Sequence, residues 1–472
     1  MIKTSRYLLD TSREYSIYTC DTRGIPSVID GLKTSQRIAL WLLRNKAEKV
    51  KTVGLSGLMA AEKLYVHGDA SANGAINLLA APFKNNVPLI EGLGEFGSRI
   101  KPDGIGAPRY TEVRRSKAAE AFLYTDLPNV PLERNYDGSN MQPRHFLPLI
   151  PTVLLNGVVG VAVGFSTNIL PRSLKDVVQA TLDVVNGKKP KMLMPSWDAY
   201  NVAVANIGPN QYEITGKAEI VNTSTIRVTE LPPGLSLEDF RKRLIKMEDD
   251  DLIADFDDHS AEMINIEIRM KRGILKGSPA RTDEQIVGGK KIKTKIPAQP
   301  AWTEQKAIDF LKLKEKVTER IVVLDWNLSS IRTYDNPLDL VGDFVKFRLN
   351  VYVERYQRLL SEASVELNYW KLLRALFEHG FTKKLGTFAN KTVMTAEVEG
   401  IAKKAKVKPS PDQIERAISL PTYRWTVDFK AEIDRKIAEI DASIVEYRLN
   451  LDKPERIKDI YVGELEALKK LK

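Results

Sequence analysis

Residues 53–83 read VGLSGLMAAEKLYVHGDASANGAINLLAAPF. The tripeptide His67-Gly68-Asp69 breaks an apolar helical pattern in two. One helix fits Val53 to about Tyr65. A second begins near Ser71 and runs to about Phe83, with Ala75, Ile76, Leu78 and Leu79 inward. Two short helices joined by a tight glycine-containing turn are compatible with a helix-turn-helix. Many all-helical cores show the same pattern, so the surrounding chain has to decide.

Upstream, residues 1–19 form an N-terminal arm. Asp30-Gly31-Leu32-Lys33 reads as a turn opening a helix through about Arg44, with Ile38, Leu40, Trp41 and Leu42 as its apolar body. Downstream, residues 95–117 hold six Lys or Arg against three acids. That composition suits an exposed loop near phosphates. Within it lies Gly106-Ala107-Pro108-Arg109-Tyr110-Thr111. A phenol beside a guanidinium can attack a phosphodiester, with the cation stabilising charge that builds on the phosphorus oxygens. An isolated Arg-Tyr pair is more often a half-buried Tyr beside a solvated Arg.

The 472 residues are too many for one core and imply two to four domains. A net charge of +10 points to a polyanionic partner. A single cysteine, Cys20, excludes an internal disulfide, and with four His no Cys/His zinc site can be built. Met1 leads into Lys3, Ser5 and Arg6 without an apolar h-region, so a cytoplasmic protein is expected. The most apolar stretch, Leu147 to Phe165, carries Pro148, Pro151, Asn156 and three Gly, and reads as buried strands and turns rather than a membrane span.

Residues 200–270 alternate strand-like runs with a charged helix near 237–247, an α+β pattern. Residues 272–305 carry Gly, Lys and Pro with little periodicity and read as a mobile loop or linker. The last third is helical. One seam runs through Val345, Leu349, Tyr352, Tyr356, Leu359, Ala363, Leu367, Trp370, Leu373 and Phe377. A second runs through Phe429, Ile433, Ile437, Ile440, Ile444, Tyr447 and Leu451. The spacing fits an antiparallel stalk with a small globular knob, or an ordinary helical bundle.

Six ordered blocks give the chain a resemblance to type IIA DNA topoisomerases, in the region that cleaves and rejoins DNA. They are Arg23-Gly24-Ile25-Pro26 with Asp30-Gly31-Leu32-Lys33 and Gln36-Arg37; Tyr65-Val66-His67-Gly68-Asp69; Gly92-Leu93-Gly94-Glu95-Phe96-Gly97-Ser98-Arg99; Arg109-Tyr110; Asn135-Tyr136-Asp137-Gly138; and Leu154 to Gly164. The chain is similar to the A subunit of gyrase and topoisomerase IV, and most of all to the medium subunit of T-even-type bacteriophage enzymes. The resemblance implies a multidomain α+β fold. Its parts are the arm (1–19), a winged-helix domain (20–140), a tower domain (141–325), a first coiled-coil helix (326–377), a knob forming a dimerisation gate (378–424), and a second coiled-coil helix with a gate segment (425–472).

By the same resemblance Tyr110 attacks a backbone phosphorus, leaving a 5′-phosphotyrosyl bond and a free 3′-hydroxyl, so that a second duplex passes through the break. Arg109 stabilises the transition state. Arg23, Lys33, Arg37 and His67 match positions that hold the scissile phosphate or its neighbours. His67 acts either in proton transfer or as a phosphate ligand; read alone, it is a helix-terminating turn residue. Arg99 contacts backbone phosphate. Val161 stands where the family carries an Ile wedge between base steps, and its plainer reading is a buried strand residue.

The family's Mg²⁺ sits in a toprim domain, and its ATP is hydrolysed by an ATPase domain. Neither is expected here, and Glu248 to Asp251 read as a solvated acidic face. The implied partners are double-stranded DNA, a second copy through the C-terminal gate, and a large subunit carrying the ATPase and toprim domains. If the chain is phage-encoded, it would work in the host bacterial cytoplasm. Tyr65 replaces the first His of the bacterial turn. Ala70 and Gly74 replace a Ser and an acidic residue that anchor quinolones, which implies weak drug sensitivity. The chain stops soon after the second seam, so relaxation and decatenation are expected rather than supercoiling. Two other readings stay open: a DNA-binding architectural protein of the same fold, and a metal-dependent nuclease using residues 248–251.

Overall fold

The computed structural model of the chain describes residues 4–287 and 290–470. It divides into two compact units, Met1–Val345 with Leu465–Lys472, and Lys346–Glu464. The architecture is mixed α+β, with helices and several small antiparallel sheets.

The expected arm is a helix, α1 (Thr4–Thr19), which ends in a single π-turn, Cys20–Gly24. Helix α2 (Thr34–Leu43) follows the Asp30-Gly31 turn. Gly31 has φ +66°, and a Cβ there would strike the Val153 backbone, so only glycine makes this turn. Strand β1 (Val50–Lys51) leads into α3 (Thr52–Ala61), and α4 (Asp69–Ala80) completes a three-helix group. α3 stops four residues short of the expected Tyr65. Lys63 turns left-handed at φ +53°, and the N–H groups of Leu64 and Tyr65 both fold back onto the Met59 carbonyl. Strands β2 (Ile90–Leu93) and β3 (Glu112–Arg115) join β1 in a sheet of order β1-β3-β2. Ile38, Leu40, Leu55, Met59, Ile76 and Val113 are buried in this region.

Two hairpins come next, β4 (Leu132–Arg134) with β5 (Met141–Pro143), and β6 (Val158–Val161) with β7 (Ser166–Ile169). Helix α5 (Leu174–Val185) is capped by the Ser173 hydroxyl. Strands β8 (Ala203–Gly208), β9 (Gln211–Thr215), β10 (Lys217–Ile220) and β11 (Thr225–Glu230) lead to α6 (Leu237–Asp249), which covers the expected charged helix. Strands β12 (Asp255–Asp258) and β13 (Ile266–Arg269) complete a sheet of order β10-β11-β13-β12. Phe240 and Leu244 of α6 pack on Ile226, Val228, Ile266 and Ile268 of that sheet.

The stretch 272–305 contains a regular hairpin rather than a structureless loop. β14 (Arg281–Val287) pairs with β15 (Lys290–Ile296) over seven positions; residues 288–289 lie outside the described residues. Its many lysines hid the β-branched alternation Ile292, Thr294, Ile296. Helix α7 (Glu304–Phe310) and β16 (Lys314–Thr318) follow, the latter completing the sheet β16-β9-β8. A hairpin of β17 (Ile321–Leu324) and β18 (Ile331–Tyr334) then precedes the long helix. The expectation of a helix from residue 326 is therefore corrected. Helix α8 (Pro337–Glu378) begins at a proline, and the Asn336 side chain accepts from the Leu338 N–H at 2.9 Å.

In the second unit, α8 runs beside α11 (Val427–Asp452), with α9 (Lys391–Lys404) and α10 (Pro411–Ile418) between them in sequence. Ring pairs Tyr356–Tyr447 at 5.9 Å and Phe377–Phe429 at 6.1 Å give the two helices opposite directions. Phe381, Val398, Ile401 and Ala417 build the core of the intervening segment. Lys453 is extended before Pro454, which ends α11 and opens α12 (Pro454–Leu468). Among the described residues no helix is long and apolar enough to cross a membrane.

Candidate active site

Tyr110 lies on a tight turn just before β3. Its N–H donates to the Ala107 carbonyl at 2.8 Å. The turn is clamped onto the start of α3: Thr52 N–H donates to Thr111 O at 3.0 Å and Val53 N–H to Pro108 O at 3.1 Å. Two of the helix's otherwise unpaired N-terminal donors are thereby satisfied. The buried hydroxyls of Thr52 and Thr111 meet at 2.7 Å. Above this anchored backbone the phenol is 70% exposed, and the Arg109 guanidinium stands 4.7 Å from its ring centroid. The result is a firmly mounted, exposed phenol with a cation beside it.

A second group forms at the far end of α3. His67 Nδ1 is 2.6 Å from Arg23 Nη2, and His67 Nε2 is 2.7 Å from the Tyr18 hydroxyl. Tyr65 packs edge-on to His67 at 5.4 Å, and its hydroxyl meets Ser71 Oγ at 2.7 Å. These residues, with Tyr136 and Gln142, line a cleft of about 630 Å³. Burial, then the nearby Arg23 charge, hold the His67 pKa below its usual value. Sequence reasoning missed Tyr18; it lies on an arm helix whose pattern carries no site signal. The Tyr110 turn is bonded to the start of α3, and the His67 group follows the end of that ten-residue helix.

The β6–β7 hairpin carries the third feature. Val159 and Val161 alternate on one face and are 71% and 80% exposed, with Val163 and Phe165 also exposed near the turn. Val161 is thus no buried strand residue. The hairpin rests on the turn that carries Arg23. Gly160 has no room for a Cβ, which would meet the Gly24 carbonyl oxygen. Lys33 Nζ donates to the Val159 carbonyl at 3.0 Å, and burial lowers its pKa.

Two expected phosphate ligands are placed elsewhere. Arg37 is only 7% exposed and is held by Asp30, Nε to Oδ2 at 2.7 Å and Nη2 to Oδ1 at 3.0 Å. It also donates to the Leu32 carbonyl at 3.0 Å. Asp30 further accepts from Phe146 N–H at 2.9 Å, so this guanidinium closes the core around the Asp30 turn. Arg99 turns into Glu230, which also accepts from Asn201 N–H at 2.7 Å, and it stacks over Tyr200 at 4.1 Å. A motif position records that an arginine is present and not where its charge is neutralised.

The acids 248–251 close α6. Asp251 pairs with Lys271, and among the described residues no three His, Cys, Asp or Glu side chains gather as a metal site would require. The described residues therefore offer no cluster fit to hold Mg²⁺.

Comparison with known proteins matches residues 23–299 to the family model of the DNA gyrase/topoisomerase IV A subunit. The DNA topoisomerase medium subunit of Enterobacteria phage T4 is 30% identical over 358 residues, 74% of each chain. DNA topoisomerase 2-alpha of Gallus gallus is 28% identical over 357 residues, 73% of this chain. The chain spans only 21% of that relative's length. The fold is similar to the DNA-binding, cleavage and re-ligation domain of Plasmodium falciparum topoisomerase II, with a TM-score of 0.77, 22% identity, and coverage of 96% of this chain and 62% of that one. An exposed, guanidinium-flanked phenol on a clamped turn, beside a helix pair and an apolar hairpin, thus coincides with a family match over more than half of the sequence: the chain belongs to the family of DNA gyrase and topoisomerase IV A subunits.

Proposed function

We propose that this chain is the DNA cleavage and religation subunit of an ATP-dependent type IIA DNA topoisomerase. The observation that carries it is the exposed Tyr110 phenol on its clamped turn, with the Arg109 guanidinium 4.7 Å away. Tyr110 Oη forms a bond to the backbone phosphorus as the P–O3′ bond breaks. The phenol loses its proton and O3′ gains one. The ester keeps the bond energy, so attack by the 3′-hydroxyl reverses the step without ATP. An unperturbed phenol has a pKa near 10, so it needs a base and charge stabilisation. Arg109 supplies the latter as charge grows on the phosphorus oxygens.

Arg23, His67 and Lys33 hold the phosphate backbone, and Val161 enters a base step to bend the duplex. In this reading residues 20–140 act as a winged helix and 141–325 as a tower. Helices α8 and α11 form an antiparallel coiled coil, and the segment between them is the gate through which two copies dimerise. Mg²⁺ and ATP act on a large partner subunit with toprim and ATPase domains, in the cytoplasm of the cell where the enzyme works. The outcome is relaxation and decatenation.

The test mixes the chain with its large subunit, Mg²⁺, ATP and supercoiled DNA, followed by a detergent stop. Protein covalently joined to DNA 5′ ends is expected from wild type and is expected to vanish in Tyr110→Phe. No wild-type adduct, or an undiminished one from the variant, would sink the proposal. DNA bending without any adduct would favour the architectural reading.

A further inference from the structure

The Tyr110 turn is joined to helix α3 through a very short ladder. Strand β1 pairs with β3 at two positions, Val50 with Val113 and Lys51 with Glu112. We propose that Thr52 and Thr111 are positioning residues for the cleavage step: their buried hydroxyl pair pins the register of β1 on β3, and so sets where the Tyr110 phenol stands relative to α3. The inference rests on reading Tyr110 as the nucleophile.

Continuing the ladder by one step sets Thr52 opposite Thr111. This is the point where β1 gives way to α3 and where β3 leaves the Tyr110 turn. Both threonines are buried, at 0% and 2% exposed, while the adjacent Tyr110 faces solvent, as strand alternation requires. Their Oγ1 atoms meet at 2.7 Å, and the Thr52 N–H donates to the Thr111 carbonyl at 3.0 Å. Side chain and backbone thus fasten the same two residues. The Thr111 methyl is seated between two glycines: a Cβ on Gly106 would stand 3.0 Å from it, and one on Gly94 3.6 Å. Turning the hydroxyl away from Thr52 would drive that methyl out of its notch.

The charged groups on this ladder hold the register weakly. Glu112 pairs with Lys49 at 2.6 Å and with Lys51 at 3.0 Å, but the two lysine side chains are 58% and 50% exposed. Ion pairs of that kind contribute little. A slip of one residue would carry the start of α3 about 3.4 Å along β3. It would also turn Thr52 to the opposite face and leave the Thr111 hydroxyl buried without its partner. The phenol would then be out of step with α3 and with the His67 group that follows that helix. A misplacement of about 1 Å can slow a reaction by about 10²-fold, so a single buried hydrogen bond at this joint has leverage on the chemistry.

The test uses the full-length chain with its large subunit and Mg²⁺. It reads the rate of covalent adduct formation on saturating duplex, duplex affinity, and melting temperature. Thr52→Val and Thr111→Val should each slow adduct formation about tenfold, a fraction of the 10²-fold cost of full misplacement, with affinity unchanged. Each should also lower the melting temperature, because one hydroxyl is left buried without a partner. The double variant separates positioning from mere stability. Two apolar groups replace the pair, so its melting temperature should return toward wild type while cleavage stays slow. Thr52→Ser keeps the hydroxyl and should cleave at the wild-type rate. Cleavage that recovers with stability in the double variant, wild-type rates in both single variants, affinity lost in step with cleavage, or a slow Thr52→Ser would each overturn the inference. A wild type that forms no adduct would instead count against the proposed function, so the two failures are distinct.

Discussion

The Tyr110 turn and the Asp30–Arg37 loop both sit at family motif positions, and they use positive charge in opposite ways. At the turn, the backbone is buried and hydrogen-bonded while the Arg109 and Tyr110 side chains face solvent. In the loop, the guanidinium itself is buried against a carboxylate that also caps two backbone N–H groups. The first arrangement leaves its cation open to solvent, where in the proposed function it would meet a charge that arrives with substrate. The second neutralises its cation permanently and gains a fixed turn. The contrast separates residues whose loss should stop chemistry from residues whose loss should unfold the scaffold.

The largest effect expected from breaking this contrast is at Arg37. Arg37→Met strands the buried Asp30 carboxylate and should cost about 3–5 kcal/mol of stability, measured by urea unfolding, while the salt slope of DNA binding at permissive temperature stays at the wild-type value. A reduced slope would return Arg37 to the phosphate ligands. Arg109→Gln should do the reverse. Cleavage should slow by roughly 10²–10³-fold, as for other preorganised electrostatic donors, with the melting temperature unmoved. A large stability loss there would make Arg109 structural and erase the distinction.

A smaller effect is expected at the hairpin. Val161→Ala removes two methyl groups from an 80% exposed side chain, so it should leave folding untouched. If those methyls are buried by DNA, affinity should drop roughly ten-fold at about 0.8 kcal/mol per group, together with the bend angle read by end-to-end energy transfer. The smallest effect concerns His145, beside the buried pair. Burial lowers its pKa, with Asp30 acting the other way. Protons therefore bind the unfolded chain first. Its contribution to stability is complete above about pH 6.5 and declines as pH falls through the lowered folded value. His145→Gln should flatten that part of the stability curve by about 1.4 kcal/mol for each tenfold weakening of proton affinity. An unaltered curve would count against it.

Much of the scaffold is legible in the sequence because its signals are periodic. Two seams of four- and three-residue steps mark α8 and α11, and His67-Gly68-Asp69 marks the break between α3 and α4. Start points are less legible. Asn336-Pro337 opens α8, yet the apolar run Ile321 to Leu324 beforehand is a strand that periodicity alone could not separate from helix. The candidate site is half legible. Arg109-Tyr110 and His67 stand out by motif, whereas the partner of Arg37 depends on which carboxylate the fold brings near. Tyr18 reaches His67 across 49 residues of chain, and no local pattern encodes that.

The contact between Gly160 and Gly24 has a mechanical consequence. With no side chain at either position and a Lys33 bond onto the adjacent Val159 of the same strand, the hairpin and the Arg23 turn have no slack between them. In the proposed function, a duplex pressing on the valines would load the segment that carries Arg23. On that reading bend and grip would be geared together, and a bulkier residue at Gly160 would strip the gear by pushing against the Gly24 carbonyl next to Arg23.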